Sequence, residues 1–152
     1  MDADFFTRNI IGVFFIYGLS FFSMGLAIML EASRASELGF AKALRPLGWF
    51  GLIHGTHEWF EMFLLINART NPDYQPPAQV DILRLIMLTA SFMFLFAFGA
   101  RLIIGETRQS TFWLVMLASL IIWLIGLAWV FSTQPDTLKV DVLRIGVNHC
   151  CY

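Results

Sequence analysis

Long apolar runs alternate with short polar segments along the 152-residue chain. A helix needs about 20 mainly apolar residues to cross about 30 Å of hydrocarbon, and four segments reach or nearly reach this length. They are residues 9–30, 46–67, 82–104 and 111–131. The pattern predicts an all-α integral membrane protein, a bundle of four transmembrane helices forming a single membrane domain over residues 1–152, with a tail at 132–152.

The four predicted spans differ in their polar content. The first and fourth contain no charged residue. The third has Arg84 and Arg101 near its ends, where long basic side chains can extend to the lipid headgroups. The second begins with Pro46, which suits the first position of a helix. It is also the span that carries histidines and glutamates, and their presence in lipid needs a reason.

The segments between the spans have patterns of their own. In residues 31–45, Leu38, Ala41 and Leu44 recur at helical spacing among charged residues. This spacing predicts a short interfacial helix between the first two spans, running into the second. Residues 67–81 contain three prolines and little apolar periodicity, so they are predicted to form an extended aqueous loop.

Orientation in the membrane is predicted from the basic residues of the short loops, because cytoplasmic loops hold an excess of them. The first loop contains Arg34, Lys42 and Arg45, whereas the second contains Arg69 with Arg84 at its margin. This distribution favours an outside N-terminus. The basic residues near the two termini oppose the bias.

Composition and charge narrow the classes of partner. Hydrophobic residues make up 58% of the chain and charged residues 14%, against about 45–50% and about 25% in soluble domains. The lipid bilayer is therefore the expected partner. The net charge of −1 is spread over scattered residues and forms no basic patch, so nucleic acid is not expected as a partner. The two cysteines, adjacent at the end of the chain, predict no disulfide framework.

The segment "HGTHEWFEMF" places four ionisable groups on one side of the second span. His54, His57, Glu58 and Glu61 are separated by three or four residues, so on a helix they project from one face. Each such group at the bilayer centre costs about 2.5–3.5 kcal/mol. The face is therefore predicted to point into the bundle.

Two interpretations of this face need no bound metal. In the first it is a structural cluster, in which the i,i+4 pairs His54–Glu58 and His57–Glu61 bind each other or nearby hydroxyl groups. In the second it is a site that detects protons or a small ligand, since imidazole titrates near neutral pH. Tyr17, with Ser20 and Met24 on the first span, is a candidate to complete such a site.

A third interpretation is a metal or haem site, with His54 and His57 as ligands. The order His-x-x-His-Glu differs from the His-Glu-x-x-His of zinc proteases, and the other spans supply no histidine or carboxylate. A tail site for a soft metal at His149, Cys150 and Cys151 is a weaker alternative to a disordered end. We therefore predict no cofactor and keep haem or a transition metal as the alternative.

Catalysis and helix packing complete the residue-based analysis. No nucleophile with a base and an orienting group is recognisable, and there is no phosphate-binding glycine loop, so the chain is not predicted to be an enzyme. Gly18 and Gly25 lie seven residues apart on the first span. This spacing predicts a seam at which another helix packs closely.

Two motifs resemble a known family. Tyr17, Gly18 and Leu19, followed by Phe21 and Phe22, match an aromatic Tyr-Gly-Leu-x-Phe-Phe run. Residues 50–59 match Phe-Gly-Leu-x-His-Gly-x-His-Glu-Trp. Together they resemble the N-terminal multi-pass membrane region of bacterial sensor proteins of the histidine kinase and diguanylate cyclase type. The likeness covers roughly the first 65 residues.

The resemblance implies a membrane-embedded sensory or input module in the bacterial cytoplasmic (inner) membrane. It implies that His54, His57, Glu58, Glu61 and Tyr17 detect the stimulus. In that family a cytoplasmic signalling domain follows further membrane helices, and none is recognisable here, so we expect a module that is non-catalytic by itself. Its expected protein partner is a second copy or a signalling protein. A membrane redox or metal-binding subunit is the alternative.

Overall fold

The computed structural model describes residues 2–34, 39–71, 74–105 and 108–133. These residues form four α-helices, α1 (Asp2–Arg34), α2 (Gly39–Thr70), α3 (Ala78–Ile104) and α4 (Gln109–Thr133). Within the described ranges the protein is all-helical, as predicted. Residues 134–152 of the predicted tail lie outside them.

Three of the helices are long and apolar enough to cross a membrane. The candidate spans are Arg8–Arg34, Ala78–Ile104 and Gln109–Trp129. Few of their side chains are buried inside the protein, as is typical of helices whose surroundings are lipid. The first, third and fourth predicted spans are therefore confirmed as helices of this kind. Helix α2 is not among the candidate spans, because charged residues and histidines interrupt its apolar sequence.

The start of α2 differs from the prediction. The helix begins at Gly39, so Pro46 lies inside it and the prediction that Pro46 takes the first helical position is wrong. Proline lacks an amide hydrogen and removes one bond of the helical ladder. Ala43, three residues before Pro46, is buried. A separate interfacial helix is not shown, because residues 39–45 are the first turns of α2 and residues 35–38 lie outside the described part.

The chain divides into two compact units, Met1–Gly99 and Ala100–Tyr152. In the second unit, α3 ends at Gly105, whose φ of +74° suits a residue without a side chain. The guanidinium carbon of Arg101 lies 4.3 Å from the centroid of the Phe112 ring. This cation–π contact links the end of α3 to the start of α4.

A seam of glycines joins α1 and α2 in the first unit. Gly18 faces Gly55, and Gly25 faces Gly48 and Gly51. A Cβ atom at Gly25 would lie 2.6 Å from the Leu52 nitrogen, and one at Gly55 would lie 2.6 Å from the Gly18 oxygen. The helix backbones therefore touch, which small residues permit in membrane helices. The predicted seam at Gly18 and Gly25 is confirmed, and its partners on α2 are Gly48, Gly51 and Gly55.

The contact between α2 and α3 is made by long polar and aromatic side chains. His54 meets Ser91 and Glu61 meets Arg84, and the two pairs are seven residues apart on each helix. This spacing shows that α2 and α3 run antiparallel in constant register. Two different kinds of contact thus hold α2, a backbone seam on one side and a polar contact on the other.

Candidate functional site

His54 is the centre of the polar side of α2. Its side chain is buried, with the residue 8% exposed. Its ring lies 4.7 Å from that of Phe21 on α1, 5.2 Å from that of Phe50 on its own helix and 5.9 Å from that of Phe92 on α3, measured between centroids. The three phenyl rings exclude water from the imidazole. Each polar contact of His54 is therefore made in a low-dielectric setting.

Both ring nitrogens of His54 have a partner. Nε2 lies 3.6 Å from Oε1 of Glu58, one turn further along α2. Nδ1 lies 3.4 Å from Oγ of Ser91 on α3. Ser91 is 0% exposed, and its hydroxyl donates to the Leu88 carbonyl oxygen at 2.8 Å. The helical spacing of α2 and the register of α3 thus align Ser91, His54 and Glu58.

The charged end of the polar side lies two turns further along α2. Arg84 Nη2 donates to Oε2 of Glu61 at 2.7 Å, and Arg84 Nε donates to Oε1. Arg84 Nη1 also donates to Oδ1 of Asp81, at 3.3 Å on the same helix. This two-point geometry is the strong form of the guanidinium–carboxylate contact. Arg84 is 8% exposed, so the ion pair is largely desolvated.

His57 lies between the two ends. It is 6% exposed, and its Nε2 is 3.8 Å from Oε1 of Glu61. Its Nδ1 is buried and has no hydrogen-bond partner. A polar atom in that condition costs free energy in the resting protein, and it marks His57 as a group able to take up a proton or meet a ligand.

The polar cluster, defined here as His54, His57, Glu58, Glu61, Asp81 and Arg84, has unbalanced formal charge. With both imidazoles neutral and all three carboxyl groups ionised, three negative charges meet one positive charge and the net charge is −2. All six side chains are at most 15% exposed. Uncompensated buried charge is neutralised by binding protons or counter-ions. The geometry therefore favours uptake of protons or positive charge.

The predicted site residues are brought together to different degrees. His54, His57, Glu58 and Glu61 share the inward side of α2, and the predicted pairs His54–Glu58 and His57–Glu61 are confirmed. The ring of Tyr17 is 6.3 Å from that of His54, at the edge of the site, with the residue 48% exposed. The other two candidates on α1 do not join them. Ser20 donates to the Ile16 oxygen of its own helix, and Met24 is exposed.

Sequence analysis missed three members of the site, all on α3. Arg84 was predicted only to extend to the headgroups, and the structure shows its guanidinium paired with Glu61 and Asp81. Asp81 lies one position before the predicted third span, residues 82–104, and was therefore not counted among the carboxylates of the spans. Ser91 had no signal in its local sequence. The short connection between α2 and α3 was a usable signal, since it makes the two helices antiparallel neighbours and brings the last turns of α2 near the first turns of α3.

Metal ligation finds little support in the described ranges. They contain no group of three or more histidine, cysteine, aspartate or glutamate side chains placed to hold a metal ion. The rings of His54 and His57 project from one side of one helix, with centroids 6.4 Å apart. His149, Cys150 and Cys151 of the alternative tail site lie outside the described residues.

Comparisons with known proteins give no information on the function of the site. No protein family, curated protein or solved structure matches the chain.

Proposed function

We propose that the chain is a sensory or input module of a bacterial signalling protein, embedded in the cytoplasmic membrane and non-catalytic by itself. Protonation or ligand occupancy of the polar cluster changes the contact between α2 and α3. The observation that carries this proposal is the buried, charge-unbalanced cluster between these two helices. The motifs that resemble bacterial sensor regions supply the signalling context, with a second copy or a signalling protein as the partner.

The proposal requires that α2 also spans the bilayer. His54 is near the middle of α2, Phe21 is midway between Arg8 and Arg34, and Ser91 is midway between Ala78 and Ile104. His54 contacts both Phe21 and Ser91. These contacts support a spanning α2, because they set the middle of α2 level with the middles of two candidate spans. At 32 residues, α2 is about 48 Å long at 1.5 Å per residue and exceeds the hydrocarbon thickness.

Cysteine labelling tests the fourth span and its orientation. In a Cys150→Ser, Cys151→Ser background, we expect a membrane-impermeant maleimide to label Asn71→Cys in intact spheroplasts. Arg34→Cys should be labelled only after permeabilisation, because a spanning α2 separates its two ends and the basic first loop stays inside. Labelling of both positions from one side would contradict a spanning α2. Exchange of the two results would reverse the orientation.

The contacts of α2 with α1 and with α3 differ in whether a change of charge can alter them. The glycine seam with α1 is a backbone contact without titratable groups. The contact with α3 contains all six members of the cluster. A change of charge in the cluster therefore acts on α2 and α3 while α1 and α2 stay together, which is the two-state element that a sensor needs.

Spin-label distances in nanodiscs test this mechanism. Phe63→Cys and Ile82→Cys, both exposed, report on α2 and α3, in the background that lacks the native cysteines. We expect their distance to become larger and broader between pH 5 and pH 8, the interval in which imidazole normally titrates. Loss of protons raises the net negative charge of the cluster, and the carboxylates then repel one another and attract water.

The controls separate this effect from a general loosening of the protein. Leu26→Cys with Arg45→Cys reports on α1 and α2 and should show no change with pH. A His54→Gln, His57→Gln variant of the first label pair should lose most of its response. An α2–α3 distance that is independent of pH, or an equal change in both pairs, would overturn the proposed mechanism.

A further inference from the structure

The hydrogen bonds of Ser91 determine which nitrogen of His54 carries hydrogen. A serine hydroxyl has one hydrogen to donate and can accept in addition. Ser91 Oγ is 2.8 Å from the Leu88 oxygen and 3.4 Å from His54 Nδ1, so the shorter and stronger contact takes the hydrogen. Ser91 therefore acts toward His54 as an acceptor, and His54 Nδ1 is the donor.

A hydrogen on Nδ1 of His54 affects Nε2, at the opposite edge of the ring. If Nδ1 carries the hydrogen of a neutral imidazole, then Nε2 is a bare lone pair. That lone pair would face Oε1 of Glu58 at 3.6 Å. Two acceptors facing each other, one of them an ionised carboxylate, repel in a site that Phe21, Phe50 and Phe92 shield from water. A proton on either atom turns this repulsion into attraction.

We propose that the pair His54–Glu58 is a proton-binding site that holds one proton between His54 Nε2 and Glu58 Oε1, with Ser91 as the positioning residue that sets the orientation of the imidazole. The proton comes from the aqueous phase and is bonded either to Nε2, giving imidazolium and carboxylate, or to the carboxyl oxygen, giving neutral imidazole and carboxylic acid. No redox change or leaving group is involved. The inference rests on the proposed function and names the proton as the ligand of that site.

The groups around the pair favour this site over the other carboxylates. On α3, Arg84 already neutralises Glu61 and contacts Asp81, so those two carboxylates need a proton least. On α2, His57 faces Glu61 through Nε2. From α1, the ring of Tyr17 lies 6.3 Å from that of His54, in a T-shaped arrangement. Glu58 thus pairs with an imidazole, whereas the other two carboxylates of the cluster pair with the guanidinium of Arg84.

Nuclear magnetic resonance of ¹⁵N-histidine protein in nanodiscs, combined with infrared spectroscopy, tests the site. The chain has three histidines, and His54→Gln identifies the His54 signals by their loss. At neutral pH we expect Nδ1 to be protonated. We also expect either a protonated Nε2 or a carboxylic acid C=O band that disappears in Glu58→Gln. In Ser91→Ala, which is smaller and fits the same space, the His54 signals should shift toward a mixture of the two neutral tautomers while the His57 signals stay unchanged.

The outcomes separate this inference from the proposed function. A His54 with bare Nδ1, or a neutral His54 beside an ionised Glu58 with no acid band, would overturn the proton site, even if the α2–α3 distance still responds to pH through His57. A proton on the pair with no response of that distance would uphold the proton site and overturn the sensing mechanism. Unchanged His54 signals in Ser91→Ala would overturn the role of Ser91.

Discussion

Arg84→Leu is expected to lower the free energy of unfolding by about 3–5 kcal/mol, because it leaves buried carboxylates without their positive partner. Arg84 is 8% exposed and makes a two-point contact with Glu61 and a further one with Asp81. Loss of the guanidinium makes the charge of the cluster more negative by one unit. The measurement is unfolding of the purified protein in mixed micelles, titrated with a denaturing detergent and followed by circular dichroism.

The matched control for this variant is Arg45→Leu, which removes the same side chain from an exposed position of α2 and should change stability by less than about 0.5 kcal/mol. The double variant Glu61→Gln, Arg84→Leu should recover part of the loss, since it removes a stranded negative charge together with its partner. Equal effects of Arg84→Leu and Arg45→Leu would contradict a buried, stabilising ion pair at Arg84.

Gly25→Leu is expected to destabilise the protein by about 3 kcal/mol or more, through overpacking at the seam between α1 and α2. The first carbon of any side chain at this position would lie within 2.9 Å of the Leu52 nitrogen, the Gly48 oxygen and the Gly51 carbonyl carbon. All three are backbone atoms, so no rotamer change relieves the clash and the helices must separate. The same detergent titration measures the loss.

Gly12→Leu is the control for the seam, because it makes the same change on the same helix where a Cβ atom meets nothing within 4 Å. It should be neutral or slightly stabilising, since glycine is a poorer helix former by about 1 kcal/mol relative to alanine. A similar loss in both variants would show that the backbones of α1 and α2 do not touch. The label pair Leu26→Cys with Arg45→Cys should report the separation directly in Gly25→Leu.

These two predictions distinguish the two contacts of α2. The seam resists change because its atoms are backbone and uncharged. The polar contact depends on protons, on one guanidinium and on register. A variant of the seam should therefore disturb the α1–α2 distance at any pH, whereas a variant of the cluster should change how the α2–α3 distance depends on pH.

Three of the helices, and the common face of the ionisable residues of α2, could be predicted from the sequence alone. Apolar runs of membrane-spanning length place α1, α3 and α4, because the need to satisfy every backbone hydrogen bond in lipid makes such runs helical. Spacings of three and four residues put His54, His57, Glu58 and Glu61 on one side, since this follows from the helical repeat alone. The glycine seam was visible on α1 for the same local reason.

The groups from other helices that complete the cluster are recognised only in the folded structure. Glu61 meets Arg84, and His54 meets Ser91, because α2 and α3 pack antiparallel in one register, and register depends on long-range packing that no local spacing records. The place of Pro46 inside α2, one turn after the buried Ala43, is likewise a feature of the folded protein. Helical repeat is a property of neighbouring residues, whereas the partners of a buried charge depend on the whole fold.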